Sequence, residues 1–201
     1  MMPPAVVCIG ASTGGTDAIR SVLAGLPQTC PPVLVVQHMP ASFTPGFAAR
    51  LDAACALGVK EAEDGEPLAR GCAYIARGDR HLALAHGAAG WVARVSDAAP
   101  LNRHRPSIDV LFASVVRAAG RQAIGVILTG MGTDGAAGLR ALRAAGAYTI
   151  AQDEHTSAVF GMPREAIAMG AAMRVLPLGR IADAIVERLA MRAPERDDAT
   201  A

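Results

Sequence analysis

The chain has 201 residues, of which 52% are hydrophobic, 18% charged and only 3% aromatic, and its formal net charge is +1. The apolar content excludes disorder for most of the chain, and the near-neutral charge gives no sign of a nucleic-acid-binding surface. No apolar run reaches the roughly 18 residues that a transmembrane helix needs, so we expect no membrane insertion.

The N-terminus and the cysteines both favour a cytoplasmic location. The first four residues, 1–4, lack the basic and apolar segments of a secretory signal. The four cysteines lie far apart and form no C-x-x-C pair, so we expect reduced thiols and no metal site. They are Cys8, Cys30, Cys55 and Cys72.

Short apolar, β-branched segments alternate with Ala- and Leu-rich segments of helical periodicity along the chain. Strands are predicted over 5–9, 33–36, 57–61, 123–128, 147–151 and 173–176. Helices are predicted over 16–26, 45–55, 108–119, 136–145 and 181–189, and a further one begins at Pro163. Thr44 and Ser107 are expected to cap the second and third of these helices. The alternation predicts a doubly wound, mostly parallel sheet with helices on both faces, a three-layer α/β/α fold.

Residues 64–100 break the alternation. Short strands are predicted over 72–76, 81–85 and 91–95, with turn signals between them, which indicates a β-hairpin insertion. We expect one domain over 1–191 and a disordered polar tail over 192–201.

Three reactive side chains follow predicted strands, at the edge where parallel sheets bind ligands. Ser12 follows the first strand, His38 the second, and Asp134 the strand over 123–128. Together they offer the nucleophile, base and orienting acid of a serine hydrolase. Ser12 also lies in G-x-S-x-G (10–14), a tight turn in which the N–H of Thr13 can stabilise an oxyanion.

Each of these residues also has a simpler interpretation. Ser12 could be a solvated serine in a capped turn, and Asp134 the N-cap of the helix that follows it. The chain order Ser, His, Asp differs from that of ordinary α/β-hydrolases. The other histidines are candidates for the base, and the last of them is the main competitor because it also follows a strand. They are His81, His86, His104 and His155.

A nucleotide- or phosphate-binding module is the alternative function, because glycine-rich turns after a first strand commonly bind phosphate. The turn here is neither G-x-G-x-x-G nor a P-loop, and Gln37-His38 stands where a dinucleotide-binding fold places an acidic residue. A non-catalytic binding domain is also left open by spacing alone.

Five separate blocks resemble the catalytic domain of chemotaxis protein-glutamate methylesterases, the CheB family. They are IGASTGG (9–15), QHMP (37–40), NRHRPSIDVLF (102–112), LTGMGTDGA (128–136) and FGMPR (160–164). The resemblance runs from about Val6 to the last predicted helix.

The resemblance implies that Ser12 is the nucleophile, His38 the base and Asp134 its partner, with Thr13 and Met131 beside the oxyanion. It implies a glutamate γ-methyl ester on the cytoplasmic helices of a methylated chemoreceptor as substrate. Methanol is the second product, deamidation of receptor glutamines is a related reaction, and no cofactor is needed.

Two further expectations concern partners and regulation. Arg103 and Arg105 could meet the acidic receptor surface, or they could brace a loop through local ion pairs. Familiar members of the family carry an N-terminal receiver domain that can be phosphorylated. Residues 1–201 begin almost directly at the first strand, so we expect no receiver domain within them, and we expect a monomer. An esterase with another substrate remains an alternative.

Overall fold

The computed structural model describes residues 5–191, so the sequence start over 1–4 and the predicted tail over 192–201 lie outside the described residues. Its strands are β1 (Val6–Ala11), β2 (Val33–Gln37), β3 (Gly58–Glu61), β4 (Cys72–Ile75), β5 (His81–Gly87), β6 (Gly90–Ser96), β7 (Ala123–Ile127), β8 (Tyr148–Gln152) and β9 (Arg174–Leu176). Its helices are α1 (Gly15–Ala24), α2 (Thr44–Asp52), α3 (Ile108–Ala118), α4 (Ala136–Ala144), α5 (Met162–Ala168) and α6 (Ile181–Ala190).

Seven strands form one sheet in the order β3-β4-β2-β1-β7-β8-β9, and all neighbouring pairs are parallel. Buried side chains of α1, α2 and α6 pack on one face, and those of α3, α4, α5 and the β5–β6 hairpin pack on the other. The predicted three-layer, doubly wound fold with a β-hairpin is therefore confirmed. Among residues 5–191, no helix combines the length and apolar character that a bilayer crossing requires.

One predicted strand lies in a different sheet from the one expected. The segment over 72–76 was assigned to the hairpin insertion, but β4 pairs in parallel with both β2 and β3 in the central sheet. The connection from β3 to β4 contains no helix. Its backbone instead bonds to β6, from Gly65 N–H to the Ala93 carbonyl (2.9 Å) and from Leu68 N–H to the Trp91 carbonyl (2.9 Å). The sequence between β3 and β4 therefore has no helical periodicity, although the two strands are parallel neighbours in the sheet.

Both side-chain caps predicted from the sequence are wrong. Thr44 is the first residue of α2 after the N-cap Phe43, and its hydroxyl donates to the carboxylate of Glu61. Ser107 is the N-cap residue of α3, but its hydroxyl makes no cap bond and donates to Asp134 instead.

The three central strands position the chemistry. β1 pairs with β2 on one side and with β7 on the other, so Ile9 lies between Val35 and Val126 in register. The strand order reverses at β1, because the chain continues to β2 on one side of β1 and later to β7 on the other side. Such a reversal opens a crevice outside the carboxyl ends of the strands. Ser12, His38 and Asp134 all follow these three strands and reach this edge.

Candidate active site

Ser12 lies in a backbone-braced turn between β1 and α1. Its N–H donates to the Thr129 carbonyl (3.0 Å), and its own carbonyl accepts from Gly15 N–H (2.7 Å) and Gln37 Nε2 (2.8 Å). Gly14, the N-cap of α1, has φ 78°, a left-handed conformation that side chains rarely adopt. Three hydrogen bonds to the Ser12 backbone and the left-handed conformation of Gly14 therefore fix the position of this half-buried serine just before α1.

The β7–α4 loop packs directly on this turn. A Cβ at Gly130 would lie 2.7 Å from the Ser12 Cβ and 2.6 Å from the Met162 sulfur, so only glycine fits. Thr129 Oγ1 donates to the Thr13 carbonyl at 2.9 Å. This close approach places the loop that carries Met131 and Asp134 beside the serine. Met131 is 71% exposed.

His38 directly follows β2, and its N–H donates to the Ala11 carbonyl at 3.1 Å, one residue before Ser12. Its imidazole is only 8% exposed, and Nε2 lies 2.9 Å from Asp134 Oδ2. The other ring nitrogen, Nδ1, is buried and has no hydrogen-bond partner among residues 5–191. A buried polar atom without a partner is costly and uncommon, so this nitrogen requires an explanation.

The carboxylate of Asp134 is a dense acceptor. Besides His38, it accepts from Asn102 Nδ2 (2.8 Å), Ser107 Oγ (2.8 Å) and the backbone N–H groups of Ile108 (2.7 Å) and Asp109 (3.3 Å). The last two are the first N–H groups of α3, so Asp134 caps α3. The alternative that it caps its own helix is wrong, because the N-cap of α4 is Gly135 and has no side-chain bond.

These contacts determine the charge of Asp134. Burial by itself would raise the pKa of this carboxyl, but the bonds from His38, Asn102, the Ile108 amide and Ser107 outweigh it. The pKa of Asp134 is therefore held well below its ordinary value of 3.8. The ionised carboxylate only accepts hydrogen bonds, so His38 Nε2 must carry a proton and donate it. In neutral His38 the lone pair is consequently on Nδ1. In the chymotrypsin-type triad the roles are exchanged: Nδ1 donates to the aspartate and Nε2 takes the proton of the serine.

His104, considered from the sequence only as an alternative base, lies in the site beside His38. Its ring stacks on that of His38, with centroids 3.7 Å apart and planes 8° from parallel. Burial and the neighbouring His38 lower the pKa of His104, with Asp134 acting in the opposite direction. Asn102 was not singled out from the sequence. The available signal was its place in the block over 102–112 that resembles the CheB family.

The remaining histidines have other surroundings. His81 is buried, and both nitrogens bond to backbone: Nδ1 accepts from Ser107 N–H (3.1 Å) and Nε2 donates to the Ala99 carbonyl (3.1 Å). His86 and His155, the expected competitor, are exposed. No side chains among residues 5–191 form a group of three or more His, Cys, Asp or Glu that could hold a metal.

The two arginines differ in their contacts. Arg105 donates to the carbonyls of Asp97 (2.9 Å) and Ala98 (3.3 Å) in the loop after β6. Arg103 is exposed in a turn with φ 66°. Arg105 thus braces a loop, as the second alternative expected, although through carbonyls rather than ion pairs.

Comparison with known proteins decides the family. A family model for CheB methylesterase matches residues 7–185. The chain belongs to the CheB methylesterase family. A protein-glutamate methylesterase/protein-glutamine glutaminase of Burkholderia thailandensis is 59% identical over 184 residues, which cover 92% of this chain and 52% of that protein. Its counterpart in Chromohalobacter salexigens is 60% identical over 183 residues, 91% of this chain and 52% of the relative.

A solved structure agrees with the CheB assignment. The crystal structure of the Thermotoga maritima CheB methylesterase catalytic domain superposes with a TM-score of 0.90 at 39% identity, covering 93% of this chain and 100% of that one. The present chain spans about half the length of the curated relatives that it matches. Membership of the CheB family favours the hydrolase over the nucleotide-binding alternative.

Proposed function

We propose that this domain is a serine hydrolase that removes methyl groups from glutamate γ-methyl esters on the cytoplasmic helices of chemoreceptors. The products are glutamate and methanol, and the same site deamidates particular receptor glutamines. The observation that carries the proposal is the buried His38–Asp134 pair beside the Ser12 turn, with His38 Nδ1 unpartnered. The relatives named as methylesterase and glutaminase support the choice of substrate. We expect the protein to act in the cytoplasm as a monomer.

The first step transfers a proton within the site. His38 Nδ1 accepts the proton of the Ser12 hydroxyl as its oxygen attacks the ester carbonyl. The resulting imidazolium donates from Nε2 to Asp134, which is already ionised. Asp134 stabilises this cation without taking the proton, because four other donors hold its charge in place.

The tetrahedral intermediate places a negative charge on the former carbonyl oxygen. The N–H of Thr13, in the turn just before α1, is the first donor we assign to it, and the backbone near Met131 is the second. Both belong to segments that are bonded to each other through Thr129, so the donors are preorganised. Preorganised N–H groups stabilise developing charge at little cost in reorganisation.

Collapse of the intermediate releases methanol, which takes the proton from His38, and leaves an ester between Ser12 and the glutamyl group. Water then attacks this acyl-enzyme while His38 again acts as the base, so Ser12 is restored. A glutamine substrate follows the same steps with ammonia as the leaving group. None of these steps requires a metal or an organic cofactor.

Arg103 is the residue we propose for contact with the receptor. Its exposed side chain leaves the turn that holds Asn102 and His104 and is available to acidic groups around the methylation site. Arg105 supports the same surface indirectly by bracing the loop after β6. Arg103→Ala is expected to raise KM for receptor by up to roughly fivefold and to leave kcat unchanged, since exposed ion pairs contribute at most about 1 kcal/mol. An unchanged KM would remove Arg103 from the contact.

Methanol release from methylated chemoreceptor membranes tests the proposal. The wild-type protein is compared with Ser12→Ala and with Ser21→Ala, which alters an exposed serine on α1. We expect release by wild type and Ser21→Ala and none by Ser12→Ala. No release by a folded wild type, or normal release by Ser12→Ala, would contradict the assigned reaction or nucleophile.

A further inference from the structure

We propose that His104 is a positioning residue, whose ring holds the His38 imidazole in the plane where Nε2 meets Asp134 and Nδ1 stays free to act as the base. The inference rests on the proposed function, because it assigns His38 as the base. It adds His104 to the proposed triad as a fourth residue, which acts only through its contact with His38.

The stacking geometry restricts His38 to this orientation. The two rings lie nearly parallel, 8° apart, at a centroid distance of 3.7 Å, which is van der Waals contact across the whole ring face. Rotation of the His38 ring out of its plane would drive it into His104. Asp134 fixes one edge of the imidazole at 2.9 Å, and His104 fixes one face. An edge contact and a face contact together define both the direction and the plane of the ring.

His104 is itself held by a short, bonded turn. Its N–H donates to the Leu101 carbonyl (2.9 Å), and its carbonyl accepts from Leu101 N–H (3.1 Å). Between them, Asn102 donates from Nδ2 to Asp134 (2.8 Å) and to Asp109 (2.7 Å). The stacking ring is thus anchored to the same carboxylate that orients His38. Any displacement of the turn would disturb the edge contact and the face contact together.

The surroundings of the pair disfavour a second positive charge on His104 when His38 takes a proton. The charged and titratable groups we identify around the two rings are Asp134, which bonds to His38, and Asp109, which is linked through Asn102. Two cationic rings at 3.7 Å would repel each other, and burial and His38 already lower the pKa of His104. A neutral ring face can also attract the His38 imidazolium that forms during turnover. His104 therefore acts by shape and ring face, and an aromatic ring that cannot ionise should replace it.

Three variants test this role. His104→Ala removes the ring, His104→Phe keeps a planar ring without a titratable group, and His86→Ala is the matched control at an exposed histidine. Two quantities are measured for each folded variant. The first is kcat and KM for methanol release, and the second is the pair of ¹⁵N chemical shifts of the His38 ring nitrogens, which report its tautomer without substrate.

We expect His104→Ala to lower kcat by roughly tenfold or more, with KM within about twofold, because misorientation of a base affects the transition state. Its His38 spectrum should change from one tautomer to a mixture. His104→Phe should recover most of kcat and the single tautomer, and His86→Ala should match wild type. If His104→Ala does not fold, near-normal kcat and a single His38 tautomer in His104→Phe still support the proposal.

Two results would overturn it. One is a folded His104→Ala with wild-type kcat and an unchanged His38 spectrum. The other is a folded His104→Phe that is as slow as His104→Ala, which would indicate a need for the second imidazole's ionisation. The ring nitrogen shifts separate this test from the reaction assignment. If wild type released no methanol, the His38 spectra of the variants would still decide whether His104 orients the ring.

Discussion

Two histidines with little solvent exposure have opposite surroundings in this molecule. His81, at the start of the hairpin strand β5, has both ring nitrogens bonded to backbone groups, Ser107 N–H and the Ala99 carbonyl. His38, at the end of β2, has one nitrogen on a carboxylate and the other buried without a partner. Both side chains are almost inaccessible to solvent, so burial does not distinguish them.

The two rings differ in whether a ring nitrogen is still free to accept a proton. His81 has no free lone pair or N–H left, and its proton is fixed on the nitrogen that faces Ala99. His38 has a fixed proton on Nε2 and an uncommitted lone pair on Nδ1, the state that a general base requires. An imidazole with every nitrogen satisfied stabilises the fold, whereas one with a free nitrogen at the sheet edge that carries Ser12 matches the base that we propose.

Exchanging either histidine for alanine gives the largest expected contrast. His38→Ala should reduce turnover by about 10⁴-fold or more, because the base is lost. His81→Ala should retain turnover but lose about 1–3 kcal/mol of unfolding free energy, because it leaves buried backbone groups unpaired. Methanol release and urea denaturation measure the two effects. A stable but inactive His81→Ala, or an active His38→Ala, would reverse the assignment of roles.

Asp134→Asn should have the next largest effect. The neutral amide cannot stabilise the His38 imidazolium as the carboxylate does, so turnover should fall by about 10³-fold or more while some activity remains. The cap of α3 weakens as well, at a cost of about 0.5–2 kcal/mol. Asp17→Asn, an exposed aspartate in the first turn of α1, is the control and should change neither quantity appreciably. Equal rates for the two variants would show that Asp134 is only a helix cap.

The acid dependence of stability should also depend on Asp134. Its pKa is lowered in the folded state from 3.8, so its contribution is fully present above that value and is lost as the pH falls through the folded-state pKa. Below about pH 4, the unfolding free energy of wild type should therefore fall more steeply than that of Asp134→Asn. Denaturant titrations at several acidic pH values measure the slopes. Identical slopes would contradict the assigned pKa shift.

The smallest expected contrast is between two buried serines near α3. Ser107 donates to Asp134, whereas Ser114 donates to the Leu111 carbonyl and accepts from Leu84 N–H in the hairpin. Each alanine variant should lose roughly 1 kcal/mol of stability. Only Ser107→Ala should also lower kcat, by a few-fold, since one of the donors that holds the carboxylate is gone. A lowered kcat in Ser114→Ala would place the hairpin contact in the same network.

Sequence patterns predicted the sheet well because its central strands are buried on both faces and appear as continuous apolar runs, as over 33–36. β4 was assigned wrongly because the usual helical crossover is replaced by a segment bonded to the hairpin. A connection of this kind has no hydrophobic periodicity from which it could be predicted. The candidate triad could be predicted because Ser12 and His38 directly follow strands, Asp134 lies in the loop after a third strand, and parallel strands end at one edge.

The support around the triad could not be predicted in this way. Asp134 caps α3, a helix that begins after residue 107, and nothing local to residue 134 indicates that contact. His104 and Asn102 lie in a turn without periodicity, and their role depends on contacts with residues more than 30 positions away. Tertiary contacts of this kind become visible only when the three segments are brought together.

Covalent labelling tests the central claim, that the free nitrogen of His38 activates Ser12, most directly. A fluorophosphonate is incubated with wild type, Ser12→Ala, His38→Ala and His81→Ala, and the adduct is located by mass spectrometry of peptides. We predict rapid modification of Ser12 in wild type and in folded His81→Ala, very slow modification in His38→Ala, and none in Ser12→Ala. Equal labelling of wild type and His38→Ala, or labelling at another serine, would contradict the account.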